Sequence, residues 1–577
     1  MENRKTENES KREISPFYST IFFSKRMDGL SPRRARAFMS GGISRALESA
    51  SRSIAYSSTR AYGSAFLAFG IVSLLLHLVK LYFVNRGESV SLSSLIISAV
   101  FALISIPLLL SEKPMCRAIQ DFAFTDYIFF EFFAIKRMNE HDRVKGLPII
   151  AGVTAGIVPA IVSVFLGVEP VVLIIFGIVF FVLSFVSPEF PLMFLLLTTP
   201  YLSIVPYSDV VFITISALAV LSFFRKVLLG KRYYVFGISD IMILLFSVVI
   251  LIAEIVNGQD GYLLRTVALI AVTLMYIPAA NIIVNRRLAD CAENAVIFSA
   301  LPISLYAIIQ YIVGGASSPA TAFMPSSTAL ALFLSVAAVF IIFALQDMKR
   351  SVQSAIYAAM LCLCLLAIIA TECVFVPFIL LVCSAAYPII MNRWLPNELL
   401  LPFLAIPIAL YFIPDAALAY VSEKLSLDVA LADMDNKLFE SFDIFIHNAF
   451  IGVGAKGVNS FDTLFGIVCR FGVFAFAILA IALVVRLRQI SVYSKFTVSS
   501  SLVNLCGLST LAIFAMLAFG WFFDIFSSVS LYCLFSVLFG MNTAALRISK
   551  HEYDDRVYYY GDQRSFDSSD ATITLRG

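Results

Sequence analysis

The residues best suited to chemistry lie in one stretch near the carboxyl-terminal third of the chain, residues 442–473. It holds His447 and then a Gly-x-Gly-x-x-Gly run that includes Gly452, Gly454 and Lys456. Glycines at this spacing let backbone amides approach an anion closely. Because no strand pattern precedes the run, a dinucleotide-binding fold is excluded. The alternative interpretation is a flexible turn that leads into a helix.

The same stretch supplies groups that transfer protons. A general base in this region would be His447, Asp443 or Asp462, since each side chain titrates and can take a proton from an acceptor hydroxyl. Two further ionisable residues lie inside apolar segments, where charge is costly and usually functional. They are Glu254 and Arg265, at equal depth on consecutive segments. Their placement predicts an ion pair that locks a hairpin, or else a cationic site near the membrane surface.

The elements that position these residues are set by the composition. Hydrophobic residues make up 60% of the 577, and only 14% are charged. A mean hydropathy of +0.90 over so long a chain leaves too little polar surface for a water-soluble fold. The bilayer accepts backbone only as helix or closed barrel. Because the apolar runs are long and continuous, the sequence predicts an all-α, polytopic integral membrane protein with about 14–16 transmembrane helices.

Loop charges predict the orientation of these helices. Lys and Arg concentrate in alternate connections, among them the one after residue 485 that carries Arg486, and cationic loops face the cytoplasm. This predicts a multi-pass protein of the plasma membrane with both termini cytoplasmic. It also places the loop 414–462, and with it the candidate residues, outside the cell. The small-residue pair Gly152-xxx-Gly156 predicts that its helix packs closely against a neighbouring helix.

The predicted organisation has three parts. Residues 1–60 form a basic cytoplasmic head, with 12 Lys/Arg against 6 Asp/Glu and an amphipathic helical stripe from Ile43 to Ile54. Residues 61–546 form the transmembrane domain, and residues 547–577 form a polar, disordered tail. The nine cysteines are scattered and make no Cys/His cluster, so neither a metal site nor a cofactor is predicted. A net charge of +3 gives no reason to expect nucleic acid.

The stretch HNAFIGVGAKGVNSF, followed by FGIVCRFGVFAFAIL, resembles the last extracellular loop and following helix of the bacterial O-antigen ligase-like membrane proteins. The segments STRAYGSAFLAFGIVSLLLHLVKLYF and LYAIIQYIVGG are also similar to members of that family. The resemblance implies a glycosyltransferase, a ligase or polymerase acting on an undecaprenyl-pyrophosphate-linked glycan outside the cell. It implies that Arg265, Lys456 and Arg470 hold phosphate, helped by Gly452 and Gly454, while His447 or Asp462 takes the acceptor proton.

Departures from the family keep two alternatives open. Family members carry arginines at two places where this chain reads Thr371-Glu372-Cys373-Val374 and 323–327, FMPSS. Since arginine forks stabilise a pyrophosphate leaving group, their loss suits a non-catalytic paralogue that acts as a partner of other polysaccharide-assembly proteins. The second alternative is a lipid-linked glycan flippase or another transporter. Transporters usually contain internal repeats, and the sequence shows no self-similar halves.

Overall fold

The computed structural model describes most of the chain. The described residues are 24–27, 49, 53–54, 56–80, 82, 92–133, 135, 147–205, 207–229, 232–257, 262–284, 286–314, 318–347, 352–373, 376, 427–455, 462–493, 500–520 and 523–563. They divide into two compact units. The small unit comprises Asp28–Pro191 and Leu221–Arg232, and the large unit comprises Met1–Met27, Leu192–Val220 and Tyr233–Gly577.

The described elements are helices apart from one short antiparallel ribbon. The first strand, β1, covers Ser24–Met27. Eight described helices lie between β1 and the second strand. They are α1 Thr59–Val79, α2 Leu92–Leu110, α3 Met115–Asp121, α4 Ala123–Asp126, α5 Ile149–Leu166, α6 Val168–Val186, α7 Glu189–Thr198 and α8 Ser208–Leu228. A π-helical turn at Tyr127–Phe132 follows α4, and a 3₁₀ turn at Leu202–Ile204 follows α7.

The remaining elements belong to the large unit. They are β2 Tyr234–Gly237, α9 Ile238–Asn257, α10 Leu263–Leu274, α11 Tyr276–Ile282, α12 Arg286–Val313, α13 Ser327–Asp347, α14 Val352–Ala370, α15 Leu427–Asn448, α16 Thr463–Tyr493, α17 Ser500–Phe519 and α18 Val529–Gln563. A 3₁₀ turn at Ile525–Ser527 precedes α18. From Val529 to Leu546, α18 is wholly buried, so it is the central helix of this unit.

Eleven membrane-length apolar helical segments occur among the described residues, α10 and α11 together making one of them, and three shorter apolar helices accompany them. Strongly apolar helices with exposed hydrophobic side chains, such as Ile150 and Phe165, require lipid around them. The predicted all-α, polytopic membrane protein is therefore confirmed. The chain is a multi-pass membrane protein whose helices contact the bilayer.

In the small unit, α1 packs closely against α2 and α5. Glycines create the contact with α5: a Cβ on Gly152 would lie 2.2 Å from the carbonyl oxygen of Ala61, and one on Gly156 would lie 2.1 Å from that of Ala65. Side chains at these positions would force the two backbones apart. The close packing predicted at this pair of glycines is confirmed, and it follows the small-residue rule for helices in lipid.

Two predicted segments differ from the structure. The loop 414–462 contains a regular helix, α15, because its apolar residues recur at helical spacing after residue 426. The tail predicted to be disordered from residue 547 instead continues α18 as far as Gln563, since no proline or glycine interrupts it before Gly561. Most of the amphipathic stripe predicted for residues 43–54 lies outside the described residues.

We expect Gly156→Ala to destabilise the protein by about 1–3 kcal/mol, because the new methyl group meets backbone that cannot rotate away. Thermal unfolding in detergent micelles measures this as a lower midpoint. Gly177→Ala in α6 is the matched control, since a Cβ there would find no atom within 4 Å and alanine favours a helix. Equal midpoints for the two variants would contradict the packing described for α1 and α5.

Candidate functional site

The candidate site is built on a break in α16. At Gly472 the backbone leaves the helix, with φ 81° and ψ 173°, a left-handed region that favours glycine. A Cβ on Gly472 would lie 2.0 Å from the carbonyl oxygen of Phe450. The break therefore leaves a short half-helix, residues 463–471, and exposes backbone groups that apolar surroundings do not tolerate without partners.

The glycine run supplies those partners. The amide of Val453 donates to the Cys469 carbonyl and the amide of Gly454 to the Arg470 carbonyl, both at 2.9 Å, while the amide of Val473 donates back to the Ala449 carbonyl at 2.9 Å. The amide of Gly452 donates to the Asn448 carbonyl at 2.9 Å. The amide N–H groups of both glycines are thus engaged inside the fold. Their predicted contribution to anion binding stays a prediction, and their observed contribution is close backbone approach.

Helix α9 fastens this run from the side. The Glu254 carboxylate accepts a hydrogen bond from the Ala455 amide at 2.8 Å, and the Asn257 side chain donates to the Gly452 carbonyl at 2.6 Å. Arg265 donates instead to the Ser527 carbonyl at 2.5 Å. The ion pair predicted between Glu254 and Arg265 is therefore wrong, because each side chain is drawn to a backbone group of a distant segment.

A buried ion pair lies directly before the break. Arg470 Nη2 is 2.6 Å from Asp524 Oδ2, and both side chains are 4% exposed. The other oxygen, Asp524 Oδ1, accepts from the Phe526 amide at 2.9 Å. Arg265 lies within electrostatic range of both members of the pair. The half-helix of α16 is thereby tied to the turn that begins α18.

Asp462 caps the half-helix at its other end. Its Oδ1 accepts from the Phe465 amide at 2.8 Å, as expected of an N-cap carboxylate, and the residue is only 5% exposed. The pKa of this carboxyl is raised to about 6, chiefly by burial; the Phe465 N–H opposes the shift, and the nearby negative charge of Asp524 adds to it. A carboxyl with a pKa near 6 exchanges protons readily at neutral pH, as a general base requires.

We name the four ionisable residues Asp462, Arg470, Asp524 and Arg265 the Arg470 cluster. Three of them were predicted from the sequence as site residues, and the structure brings these three together. Asp524 was missed. The signal for it was an acidic residue in a very short connection between two apolar segments, in a chain with few acids.

The other predicted site residues lie apart or are not described. His447 is on α15, where its Nδ1 lies 2.8 Å from the Asp443 carbonyl oxygen, and its side chain is 69% exposed. Its contacts are thus made within its own helix. Lys456 lies outside the described residues. A search for groups of three or more metal-ligating side chains among the described residues finds none.

An apolar groove of about 220 Å³ begins beside the Arg470 cluster. Six residues that define it are Thr463, Ile467, Leu479, Leu483, Ile525 and Phe526. Thr463 directly follows Asp462, and Ile525 directly follows Asp524. The groove continues along α16 on both sides of the break. The lining itself is apolar, and the Arg470 cluster adjoins it through the chain neighbours of Thr463 and Ile525.

Thr463 holds the entrance of the groove together. Its amide donates to the Gly520 carbonyl at 2.6 Å, and its hydroxyl donates to the Phe523 carbonyl at 2.8 Å. The same hydroxyl accepts from the Ile525 amide at 3.1 Å. These bonds fix the start of α16 against the end of α17 and the turn before α18, so this end of the groove is rigidly built.

Comparison of the sequence with models of known protein families finds no match, and comparison with individual characterised proteins finds none either. The resemblance to O-antigen ligase-like proteins therefore stays a prediction. The geometry of the Arg470 cluster and of its groove carries the argument about function.

We expect Asp524→Asn to destabilise the protein by about 3–5 kcal/mol, because it leaves the buried Arg470 guanidinium without its counter-charge. Unfolding in detergent micelles, followed by tryptophan fluorescence, measures the loss. Asp443→Asn is the control, since that carboxylate is 77% exposed and its removal changes stability little. A loss of under about 1 kcal/mol for Asp524→Asn would show that the pair does not hold the break.

Proposed function

We propose that the protein transfers or polymerises a glycan carried on undecaprenyl pyrophosphate, at the outer face of the plasma membrane. The observation that carries this proposal is an apolar groove in which two lining residues, Thr463 and Ile525, directly follow Asp462 and Asp524 of the Arg470 cluster in the chain. A ligand matched to such a site has a long hydrocarbon chain and an anionic head. Lipid-linked pyrophosphate sugars have this chemistry, and most soluble metabolites do not.

Each part of the substrate has a counterpart in the site. The polyprenyl chain lies in the groove along α16, where burial of each methylene contributes about 0.8 kcal/mol. The pyrophosphate lies near Arg265, a half-buried guanidinium that donates to the Ser527 carbonyl, one residue beyond Phe526 of the groove lining. Arg470 adds to the field there, although Asp524 balances its charge.

The carboxylate of Asp462 is the proposed general base of the reaction. Asp462 takes the proton from an acceptor sugar hydroxyl, and the hydroxyl oxygen then bonds to the anomeric carbon of the donor glycan. The bond between that carbon and the pyrophosphate oxygen breaks, and undecaprenyl pyrophosphate leaves with the electron pair. Positive charge near the leaving group favours this step because negative charge develops there.

The proposed orientation places the Arg470 cluster outside the cell and both termini in the cytoplasm. Cations such as Arg225 and Lys226, at the end of α8, and Arg232, before β2, support it because basic connections remain cytoplasmic. Partners in this proposal are the bilayer, the lipid-linked glycan and other polysaccharide-assembly proteins.

The proposal predicts a specific pH dependence. Because Asp462 must be ionised to act as the base, turnover of an undecaprenyl-pyrophosphate glycan by purified protein falls as the pH drops through about 6 and reaches a plateau above it. We expect Asp462→Asn to lower turnover by about 100-fold or more and to abolish this profile. The asparagine oxygen still caps α16, so folding is retained; thermal unfolding checks this.

Asp443→Asn and His447→Ala serve as controls on the exposed face of α15, and we expect both to keep the profile. If either abolishes turnover while Asp462→Asn does not, the base has been assigned to the wrong residue. If Arg265→Ala leaves donor binding unchanged, the pyrophosphate does not lie where we place it.

A second candidate function is that of a non-catalytic partner that binds the lipid-linked glycan. The Arg470–Asp524 pair favours it. A guanidinium whose charge is balanced by a buried carboxylate stabilises the negative charge of a leaving group less. Donor binding without turnover, with every acceptor sugar tried, supports this function over the first.

A further inference from the structure

A second ionic cluster lies at the opposite end of the helices that carry the Arg470 cluster. Asp240, at the start of α9, is completely buried, and its Oδ2 accepts from the Gly237 amide at 2.7 Å and from Arg547 Nη2 at 2.6 Å. Arg547 also donates to Asn281 Oδ1 at 3.0 Å. We name this group, with Arg486, the Asp240 cluster.

Arg486 was predicted to be a cation in a cytoplasmic loop, and that prediction is wrong. The residue is 4% exposed because α16 continues to Tyr493 and carries it into the helix bundle. Its guanidinium donates to Ser239 Oγ at 2.5 Å and lies 5.4 Å from the centre of the Phe539 ring. Two guanidinium groups and one carboxylate thus lie together in the interior. Because they belong to different helices, a change in helix position alters the pairing of their charges, and unpaired buried charge is costly.

Strand β2 lies between this cluster and the amino-terminal strand. On one edge, the Val235 amide donates to Asn281 Oδ1 at 2.9 Å, and the Gly237 amide donates to Asp240. On the other edge, β1 pairs antiparallel, with Lys25 opposite Phe236 and Met27 opposite Tyr234. In an antiparallel ladder, residues alternate in direction. The amides of Tyr234 and Phe236 therefore face β1.

Three helices lead from the Asp240 cluster toward the Arg470 cluster or toward the glycine run beside it. Helix α9 carries Asp240 at one end and Glu254, which holds the glycine run, at the other. Helix α16 carries Arg486 and Arg470, on either side of its break. Helix α18 carries Arg547 and directly follows the turn that contains Asp524. A shift of α9 or α18 at one end is therefore transmitted along a continuous helix to the other.

The ribbon of β1 and β2 can open without unfolding the helices. Each strand has four residues, and an isolated two-stranded ribbon is marginally stable. The ribbon thus has two states, paired and unpaired. Coupling between two distant sites requires a two-state element of this kind. We propose that docking of β1 on β2 sets the geometry of the Arg470 cluster, with the Asp240 cluster and the shared helices as the connection.

Hydrogen exchange on the full-length protein in lipid nanodiscs tests this coupling without reference to any activity. Lys25→Pro removes an amide that faces β2, whereas Arg26→Pro is the matched control because its amide faces away. We expect Lys25→Pro to speed exchange at Phe236, which reports loss of the ribbon. We also expect about tenfold faster exchange at Val453 and Gly454, whose amides bond across the distant break.

A second variant covers the case in which the proline variant fails to fold. Arg26→Cys with Val235→Cys places thiols on directly opposed residues, a spacing that suits a disulfide; oxidation then locks β1 in place. We expect the lock to slow exchange at Val453 and Gly454, and reduction to reverse it, with the single Arg26→Cys variant as control. If the ribbon opens or locks while those two amides do not respond, the proposal is overturned and β1 is only an anchor.

Discussion

The ion pair between Arg470 and Asp524 is the constraint on which the large unit depends. Two opposite charges 2.6 Å apart, both almost wholly buried, are stable only if each keeps its partner. The pair joins a half-helix to the turn before the central helix α18. The fixed turn keeps the half-helix apart from the rest of α16 at Gly472. The carbonyl groups exposed at this break then need hydrogen-bond donors, and the amides of the glycine run supply them.

The site follows from this arrangement. The half-helix before the break brings Arg470 against Asp524 and within electrostatic range of Arg265. Asp462 has a raised pKa chiefly because it is buried, and the carboxylate of Asp524 adds to the shift. The groove lies next to these residues in the chain because the turn that holds Asp524 also places Ile525 and Phe526 in the groove lining. Charge and apolar surface therefore meet at one point.

The sequence was sufficient for features that depend on local pattern. Hydropathy predicted the helices, and small-residue spacing predicted the contact of Gly152 and Gly156 with α1. It also selected Asp462 and Arg470. It did not predict what these residues contact, because Asp524 is 54 residues further along the chain than Arg470 and the pairing depends on tertiary packing.

The errors have the same physical origin. Glu254 and Arg265 lie close enough in sequence to suggest a pair, but each bonds to the backbone of a segment that hydropathy does not connect with it. Arg486 fitted the charge rule for loops, yet the helix continued past it. The pairing of β1 with β2 joins residues more than 200 positions apart, and four residues are too few for a strand pattern to be recognised.

The most direct test of the account is a double-mutant cycle on the free energy of unfolding, with Arg470→Met, Asp524→Asn and the combination. If the pair holds the break, each single variant leaves a buried charge or a vacant acceptor, and the double variant loses at least about 2 kcal/mol less than the sum of the two. Losses that add to within about 0.5 kcal/mol would mean that the two residues do not interact, and the explanation of the broken helix would then be wrong.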